Sequence, residues 1–434
     1  MFRKLLRALG ELPQQLRSRF KQTFRSLEDK NFLTYNAGMF VSNCGTWMQN
    51  VALSWLVYRL TGSAAALGIV SFANSLPLLL LTFVGGMTAD RYDKRKILLV
   101  TNSIAMLQAI ALTVLVATGT ATIPLVVALS CLLGCVTAFE VPTRQSLVPL
   151  LIQDEKDTHN AIGLSSAVFH VSRMIGPALG GFAIASFGEE ICFGLNAVSF
   201  IAALIGLCFT TLRKSEPRAG STGLSSEQKA ERKRADNQAF WAIVKRPAVL
   251  TLLILAAFVS TFGMQYSVLM PVITDKLLHG SSEQYGLLSA AGGLGALFGS
   301  LIIASFGSSG GLRKRMGYAA TMLAFALASL ALSKLVLLSV VSIVVAGTCL
   351  SMHWSGGNSL MQQCVEPSSR GKLMGVYTTF TLGMAPFTAL LAGWSAEHLG
   401  VTTALLIASA GMLVGALLYL SKIRNLDDTC GTNK

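Results

Sequence analysis

Apolar runs long enough to cross a bilayer recur along almost the whole chain, each closed by a polar interruption. The hydrocarbon core is ~30 Å thick and takes ~20 apolar residues per helix. On that spacing twelve spans are predicted, at 33–57, 65–89, 97–118, 122–146, 161–186, 191–212, 248–271, 284–306, 316–333, 335–357, 373–394 and 400–421. All but one of the interruptions are short. Residues 213–247 are rich in Ser, Gly, Lys, Arg and Glu, read as a solvated linker, and divide the spans six and six. The expected organisation is a basic segment over 1–30, a six-helix bundle over 31–212, the linker over 213–247, a second bundle over 248–421 and a tail over 422–434.

Composition agrees. Of 434 residues 52% are hydrophobic and 13% charged, about half the ~25% charged share of a soluble domain. The fold class is therefore an all-α polytopic membrane protein. Seven of the eight cysteines lie in or at the ends of apolar segments, with Cys430 in the tail, and none has metal-ligand or redox spacing. They read as small packing residues.

Charge orients the chain. The net charge of +14 points to nucleic acid only until its distribution is read. With the N-terminus inside, 31 Lys and Arg fall on one side and only Arg59, Lys276 and Lys334 on the other; Arg173 lies within a span. The positive-inside rule makes the rich side cytoplasmic, with both termini there. Residues 1–30 combine eight basic side chains with Phe2, Leu5, Leu6, Leu9, Leu12, Leu16, Phe20 and Phe24. They read as an amphipathic helix on an anionic membrane surface, with a disordered basic tail as the alternative. The compact apolar core of a signal peptide is absent.

The densest charge cluster follows Gly85-Gly86, where six of the seven residues from Asp90 to Lys96 are charged. The second half echoes the first. A Gly-rich span precedes Arg313-Lys314-Arg315, Gln145-Ser146-Leu147 is matched by Asn358-Ser359-Leu360, and Gly176-Pro177 by Ala385-Pro386. Two related six-helix halves joined by a linker are the plan of a secondary transporter, with substrate bound between them near the midplane.

Gly86, Asp90, Arg91, Lys94 and Arg95 follow a spacing that resembles motif A of the major facilitator superfamily, with Asp93 where that motif carries glycine. Gly45-Thr46-Trp47-Met48-Gln49, the stretch Trp55 to Ser63 and the stretch Phe139 to Gln145 extend the likeness to the enterobactin-exporter-like, transmembrane secretion effector branch. The resemblance implies twelve helices in two pseudo-symmetric bundles, a proton gradient and no cofactor, a small organic substrate, a monomeric transport unit and the bacterial inner membrane. It implies that Asp90 meets the N-terminal end of the eleventh helix, where the dipole stabilises a carboxylate. Such a latch closes the cytoplasmic side, and Arg91, Lys94 and Arg95 would contact nearby acids. Anchoring of the loop inside is the alternative for these charges. Gly163, Ser172, Gly176, Pro177, Gly180 and Gly181 resemble the antiporter motif of drug exporters, which favours export; close packing alone also explains them.

Glu140 and Arg173 are the charges lying well inside spans, where they are expensive and face a cavity or each other. Glu140 is either a proton carrier or the fixed partner of Arg144 or a motif A arginine. Arg173, three residues after His170, binds an anionic substrate or braces its helix. In the first span Asn36, Asn43 and Asn50 recur at sevens, with Trp47 and Ser54 on the same stripe. Lipid cannot satisfy an amide stripe. The family's first, fourth, seventh and tenth spans line its cavity, so Asn43, Trp47, Asn50, Glu140, Gln265, His353 and Trp354 are the expected cavity residues. Helix–helix hydrogen bonding is the alternative for each asparagine.

The preferred reading is a proton-coupled exporter of a siderophore or drug-like compound. Uptake carrier, lipid flippase and non-transporting sensor are the alternatives on the same fold. An enzyme is disfavoured because no metal cluster, nucleophile elbow or phosphate loop is visible, and an ATP-driven pump because no Gly-Lys-Ser/Thr loop is present.

Overall fold

A computed structural model describes residues 25–152, 154–213, 241, 243–306, 311–364 and 370–423. Most of the basic N-terminal segment, most of the linker and most of the tail lie outside the described residues. The first half contains α1 (Lys30–Thr61), α2 (Ala64–Arg91), α3 (Lys94–Ala117), α4 (Ile123–Leu147), α5 (Thr158–Phe187) and α6 (Glu189–Phe209). The second contains α7, a broken helix from Pro247 to Leu277, then α8 (Ser282–Phe306), α9 (Leu312–Leu332) and α10 (Val336–Gln363). It closes with α11, in the two pieces Arg370–Leu382 and Ala385–Leu399, and α12 (Val401–Ile423).

Eleven of these are long and apolar enough to cross a membrane. The twelfth is α1, whose 32 residues span ~48 Å but whose amides Asn43, Gln49 and Asn50 dilute its apolar character. The halves repeat one packing plan. Helices α2 and α4, α3 and α4, α3 and α6, α1 and α5, and α1 and α6 pair in the first. Their counterparts α8 and α10, α9 and α10, α9 and α12, α7 and α11, and α7 and α12 pair in the second.

Local chemistry explains the helix ends. Asp29 caps α1 by accepting from the Asn31 and Phe32 amides, and Gly62 closes it in the left-handed conformation at φ 62°. Asp93 caps α3, its Oδ1 accepting from the Arg95 amide at 2.8 Å and the Lys96 amide at 3.1 Å. An aspartate there satisfies helix-end donors that glycine could not.

Two expected spans differ from the structure, both at prolines. Instead of one helix over 248–271, α7 continues to Leu277 and contains π-helical turns at Val259–Gly263 and Ile273–Leu277. Pro271 lies between them and has no N–H for the helical ladder. Instead of a continuous helix over 373–394, α11 breaks at Gly383-Met384, just before Pro386. Ser260 spans that break, donating to the Thr381 carbonyl at 2.7 Å and accepting through its own carbonyl from Thr388 at 3.1 Å.

The halves are joined unevenly. One end of the molecule carries Arg91, Lys94, Arg95, Lys96 and Arg313 to Arg315 and is called the basic face; the other carries Gly62, Gly188, His279 and Gly400. Near that opposite face α2 packs chiefly along Ala385–Leu399, not along Arg370–Leu382. A Cβ on Gly68 would sit 2.6 Å from the Ala389 carbonyl. The same closeness joins α5 to α8, where a Cβ on Gly286 would meet the Gly181 Cα at 2.6 Å and the Pro177 carbonyl at 2.7 Å. Close small-residue contacts of this kind let helix backbones touch in a bilayer. Towards the basic face α2 and α11 part.

Candidate functional site

A chain of cations and aromatic rings crosses the middle of the molecule. Glu140 and Arg144, one turn apart on α4, form an ion pair with Nη1–Oε1 at 3.3 Å, both side chains mostly buried. The Arg144 guanidinium lies 6.0 Å from the centroid of Phe169 on α5. Phe169 meets Trp47 of α1 edge-on at 5.9 Å, and Trp47 carries the Arg173 guanidinium 5.2 Å from its own centroid. Such spacing is that of cation–π contact. Phe169 also touches the ring of His170, whose Nε2 lies 3.2 Å from Ser300 Oγ on α8. Ser300 lies 2.8 Å from Ser351 Oγ on α10. Five helices from both halves thus meet through eight side chains. On α8, Gly293 lets the Arg173 backbone approach, and the neighbouring Gly292 faces the Tyr266 hydroxyl of α7.

The structure places Glu140 in the ion pair with Arg144 that was one of its two sequence readings. Trp47 and Arg173 come together; Asn43 and Asn50 are partly exposed on the same helix as Trp47. Gly176 packs on α1, where a Cβ would strike Trp47 Cβ at 2.6 Å and the Cys44 carbonyl at 2.7 Å. Pro177 faces α8 instead, and α5 runs through it without a break. Gln265 is buried in α7 and donates to the Thr261 carbonyl at 3.1 Å.

His353 lies elsewhere than expected. It is 3% exposed, its Nδ1 sits 2.7 Å from the Cys349 carbonyl, and its own carbonyl accepts from Tyr377. His353 and Trp354 line a small void with Leu252, Leu255, Met316 and Tyr377, inside the second half and not between the halves. Asn36 is also spent within its half, donating to the Phe32 carbonyl and accepting from Ser165 of α5.

Sequence reasoning missed a buried amide relay. Gln49 donates to Gln108 at 3.0 Å and accepts from Asn196 at 2.8 Å, tying α1, α3 and α6. Glutamine next to the Asn43–Asn50 stripe was the available signal, but its partners lie 59 and 147 residues away.

At the basic face Asp90 and Arg91 are exposed and take part in no ion pair among the described residues. The expected meeting of Asp90 with the N-terminal end of α11 falls on a stretch that lies partly outside the described residues. Lys94 begins α3, and Arg95 donates to the Cys208 carbonyl at the end of α6, not to an acid. Gly86 has open space around it; the close approach belongs to Gly85, where a Cβ would strike the Ala138 carbonyl of α4.

At the opposite face the halves are bonded. Tyr58 donates to Asp275 Oδ2 at 2.7 Å. Glu397 at the end of α11 accepts from the Ala64 amide at 2.7 Å, the Ala65 amide at 3.2 Å and the Ser63 hydroxyl at 3.0 Å. These are free donors of the first turn of α2, where the dipole favours an anion. Trp55 of α1 stacks on Tyr285 of α8 with centroids 5.8 Å apart. Among the described residues no three His, Cys, Asp or Glu side chains are grouped to hold a metal.

Comparison with known proteins places this architecture. Residues 21–432 match the family described as transmembrane secretion effector. The staphyloferrin A transporter of Staphylococcus aureus is 28% identical over 373 residues, covering 83% of this chain and 88% of that protein. The multidrug efflux pump Tap of Mycolicibacterium fortuitum is 25% identical, covering 89% and 94%. Macrolide efflux protein A of Streptococcus pyogenes is 21% identical, covering 91% and 97%. Among solved structures, the nucleoside transporter NupG shares the fold at TM-score 0.71 and 14% identity, over 90% of this chain and 98% of that one. A bacterial homolog of the human lysosomal transporter Spinster, in its inward-facing and unoccupied conformation, shares it at TM-score 0.67 and 16% identity, over 93% and 99%.

Proposed function

Because the chain belongs to the transmembrane secretion effector family of the major facilitator superfamily, we propose that it is a proton-coupled exporter working by alternating access, with a siderophore or drug-like organic compound as cargo. The relatives named as a staphyloferrin A transporter and as efflux pumps support that cargo class. The positive-inside rule supports a cytoplasmic basic face with both termini inside.

The observation that carries alternating access is the one-sided joining of the halves. Glu397 and Tyr58 join the halves at the opposite face, while at the basic face Asp90 is exposed and in no ion pair among the described residues. The two acids are inverted twins. Asp90 ends α2 and, in the proposed cycle, meets the start of α11 when the cytoplasmic side shuts. Glu397 ends α11 and meets the start of α2 when the other side shuts. A carboxylate at a helix N-terminus is stabilised in each state, so neither state is favoured outright and cargo and protons decide between them.

Glu140 is the proposed proton carrier and Arg144 its resting partner. Protonation of Glu140 dissolves the pair and releases the Arg144 charge towards Phe169 and the path. Asn43, Trp47, Asn50 and Arg173 are the proposed cargo contacts. Asp90, Arg91, Lys94 and Arg95 serve the cytoplasmic gate, and Gly176 and Pro177 fit α5 between α1 and α8.

Inside-out and right-side-out vesicles from cells overproducing the protein test this reading. The probes are a labelled macrolide, a fluorescent cationic dye and siderophores extracted from iron-starved culture. The expected result is accumulation of at least one probe in acid-loaded inside-out vesicles, ended by a protonophore. Accumulation in right-side-out vesicles alone would make it an uptake carrier, and binding without flux a sensor.

A further inference from the structure

We propose that Arg173 is the anchor of a binding site for organic oxyanions, so that the cargo carries a carboxylate or phosphate on an apolar or aromatic body. This rests on the transporter reading above and names the chemistry its central site selects.

Arg173 stands 15 residues from the start and 14 from the end of α5, or ~21 Å along the helix either way. It is therefore at the midplane, where secondary transporters hold their substrate. A guanidinium carries five N–H donors and no acceptor. Here none is used: Arg173 makes no ion pair and no hydrogen bond among the described residues. Its contact is the Trp47 indole, which lies against the cation and leaves the planar fork free. Bracing of the helix would show bonds to neighbouring carbonyls or an acid, and neither occurs among the described residues.

The surrounding charges leave the position uncompensated. Glu140 is the acid nearest the middle of any described helix, and Arg144 already holds it at 3.3 Å. The central group thus contains two arginines and one carboxylate. A second unmet group lies one turn away: the Nδ1 of His170 is buried with no hydrogen-bond partner. An oxyanion meets both needs. A guanidinium takes a carboxylate or phosphate through two parallel hydrogen bonds, and the pairing is strong where water is scarce. Trp47, Phe169 and Tyr266 supply aromatic walls, which fit an organic body better than a bare inorganic ion.

Position adds a consequence for transport. The Arg173 backbone abuts Gly293 of α8, and His170 bonds Ser300 of the same helix. An anion on Arg173 therefore lies at the seam between the halves, where its contacts differ as the seam opens and closes, which is what a ligand needs to shift that equilibrium.

The test is calorimetric titration of the purified full-length protein in lipid nanodiscs with four probes of one shape: phenylacetate, phenyl phosphate, phenethyl alcohol and phenethylammonium. Both oxyanions are expected to bind about tenfold or more tighter than the alcohol and the cation, the scale of one charge-assisted bond pair. The tighter of the two oxyanions identifies the cargo's group as carboxylate or phosphate. Arg173→Gln is expected to erase the preference, bringing both oxyanions down to the affinity of the alcohol. Arg173→Lys, which keeps charge but loses the fork, is expected to fall between; it decides the matter if the glutamine variant does not fold. Equal affinity for all four probes, or an oxyanion preference that survives both substitutions, overturns the site. Proton-driven export of a neutral or cationic compound without oxyanion binding would overturn the site and leave the transporter standing. Oxyanion binding without any flux would do the reverse.

Discussion

Glu397, near the end of α11, accepts a hydrogen bond from the backbone amide of Ala64 at 2.7 Å and so caps the first turn of a helix in the other half of the molecule. The bond does two jobs in one geometry. It satisfies helix-start donors, which have no partner within their own helix, and it holds two six-helix halves together at one face. Because the carboxylate is exposed, salt screens it, which suits a contact that releases in the proposed cycle.

Replacing that carboxylate loosens the seal. Glu397→Gln is expected to shift the population about twofold towards a state open at the opposite face, the low end of what a charge at an exposed helix N-terminus contributes. Labelling of Asn43→Cys by a membrane-impermeant thiol reagent from that face reads the shift. High salt should reproduce part of it in the unaltered protein.

A steric change at the second seam acts the same way by a different cause. In Gly286→Ala the new methyl meets the Gly181 Cα at 2.6 Å and the Pro177 carbonyl at 2.7 Å, both of them backbone atoms of α5. Overpacking of this kind costs about 1–3 kcal/mol, all of it against the closed opposite face. Flux should fall roughly tenfold, and the variant should label from the opposite face. Gly86→Ala, which meets nothing within 4 Å, should transport normally in this part of the cycle.

The coupling proposal concerns the acids alone. Glu140→Gln and Asp90→Asn are expected to abolish proton-driven export in inside-out vesicles. Glu140→Gln should retain exchange of cargo across a membrane without a gradient, because the path remains while the carrier of the proton is gone. Normal pumping by both variants would remove Glu140 and Asp90 from the coupling mechanism.

The Asp93 cap predicts stability and not coupling. Asp93→Ala removes the acceptor for two amides and should cost about 1 kcal/mol, seen as a lower melting temperature in detergent. Asp93→Asn keeps an equivalent cap and should melt close to the unaltered protein.

Much of this architecture is legible in the pattern of apolar runs, because a bilayer demands a fixed length and every helix must satisfy its own backbone. The six-plus-six division is legible for the same reason, since Arg213 to Arg246 holds more polar residues than any turn needs. What escapes the pattern is what depends on partners far along the chain. Glu397 looks like an ordinary acid at a helix end until α2 is packed beside it. Gln49 reads as one more polar residue until Gln108 and Asn196 meet it. The adjacent pair Gly85 and Gly86 differ by 100° around one helix, and only packing shows that Gly85 is the one facing α4. The family resemblance puts His353 on the path, but its register turns it into the core of its own half. The breaks in α7 and α11 follow from Pro271 and Pro386, residues visible in the sequence whose effect depends on whether neighbouring helices replace the missing bonds.

The central claim is that one face closes as the other opens. Spin-label distances measured on a cysteine-free background in nanodiscs test it directly. One pair, Met87→Cys with Thr378→Cys, reports α2 against α11 at the basic face; the other, Thr61→Cys with His398→Cys, reports the opposite face. When pH or cargo is changed, the account predicts that the two distances move in opposite senses, the basic-face pair shortening as the other lengthens. Two distances that stay fixed, or that lengthen and shorten together, would contradict it.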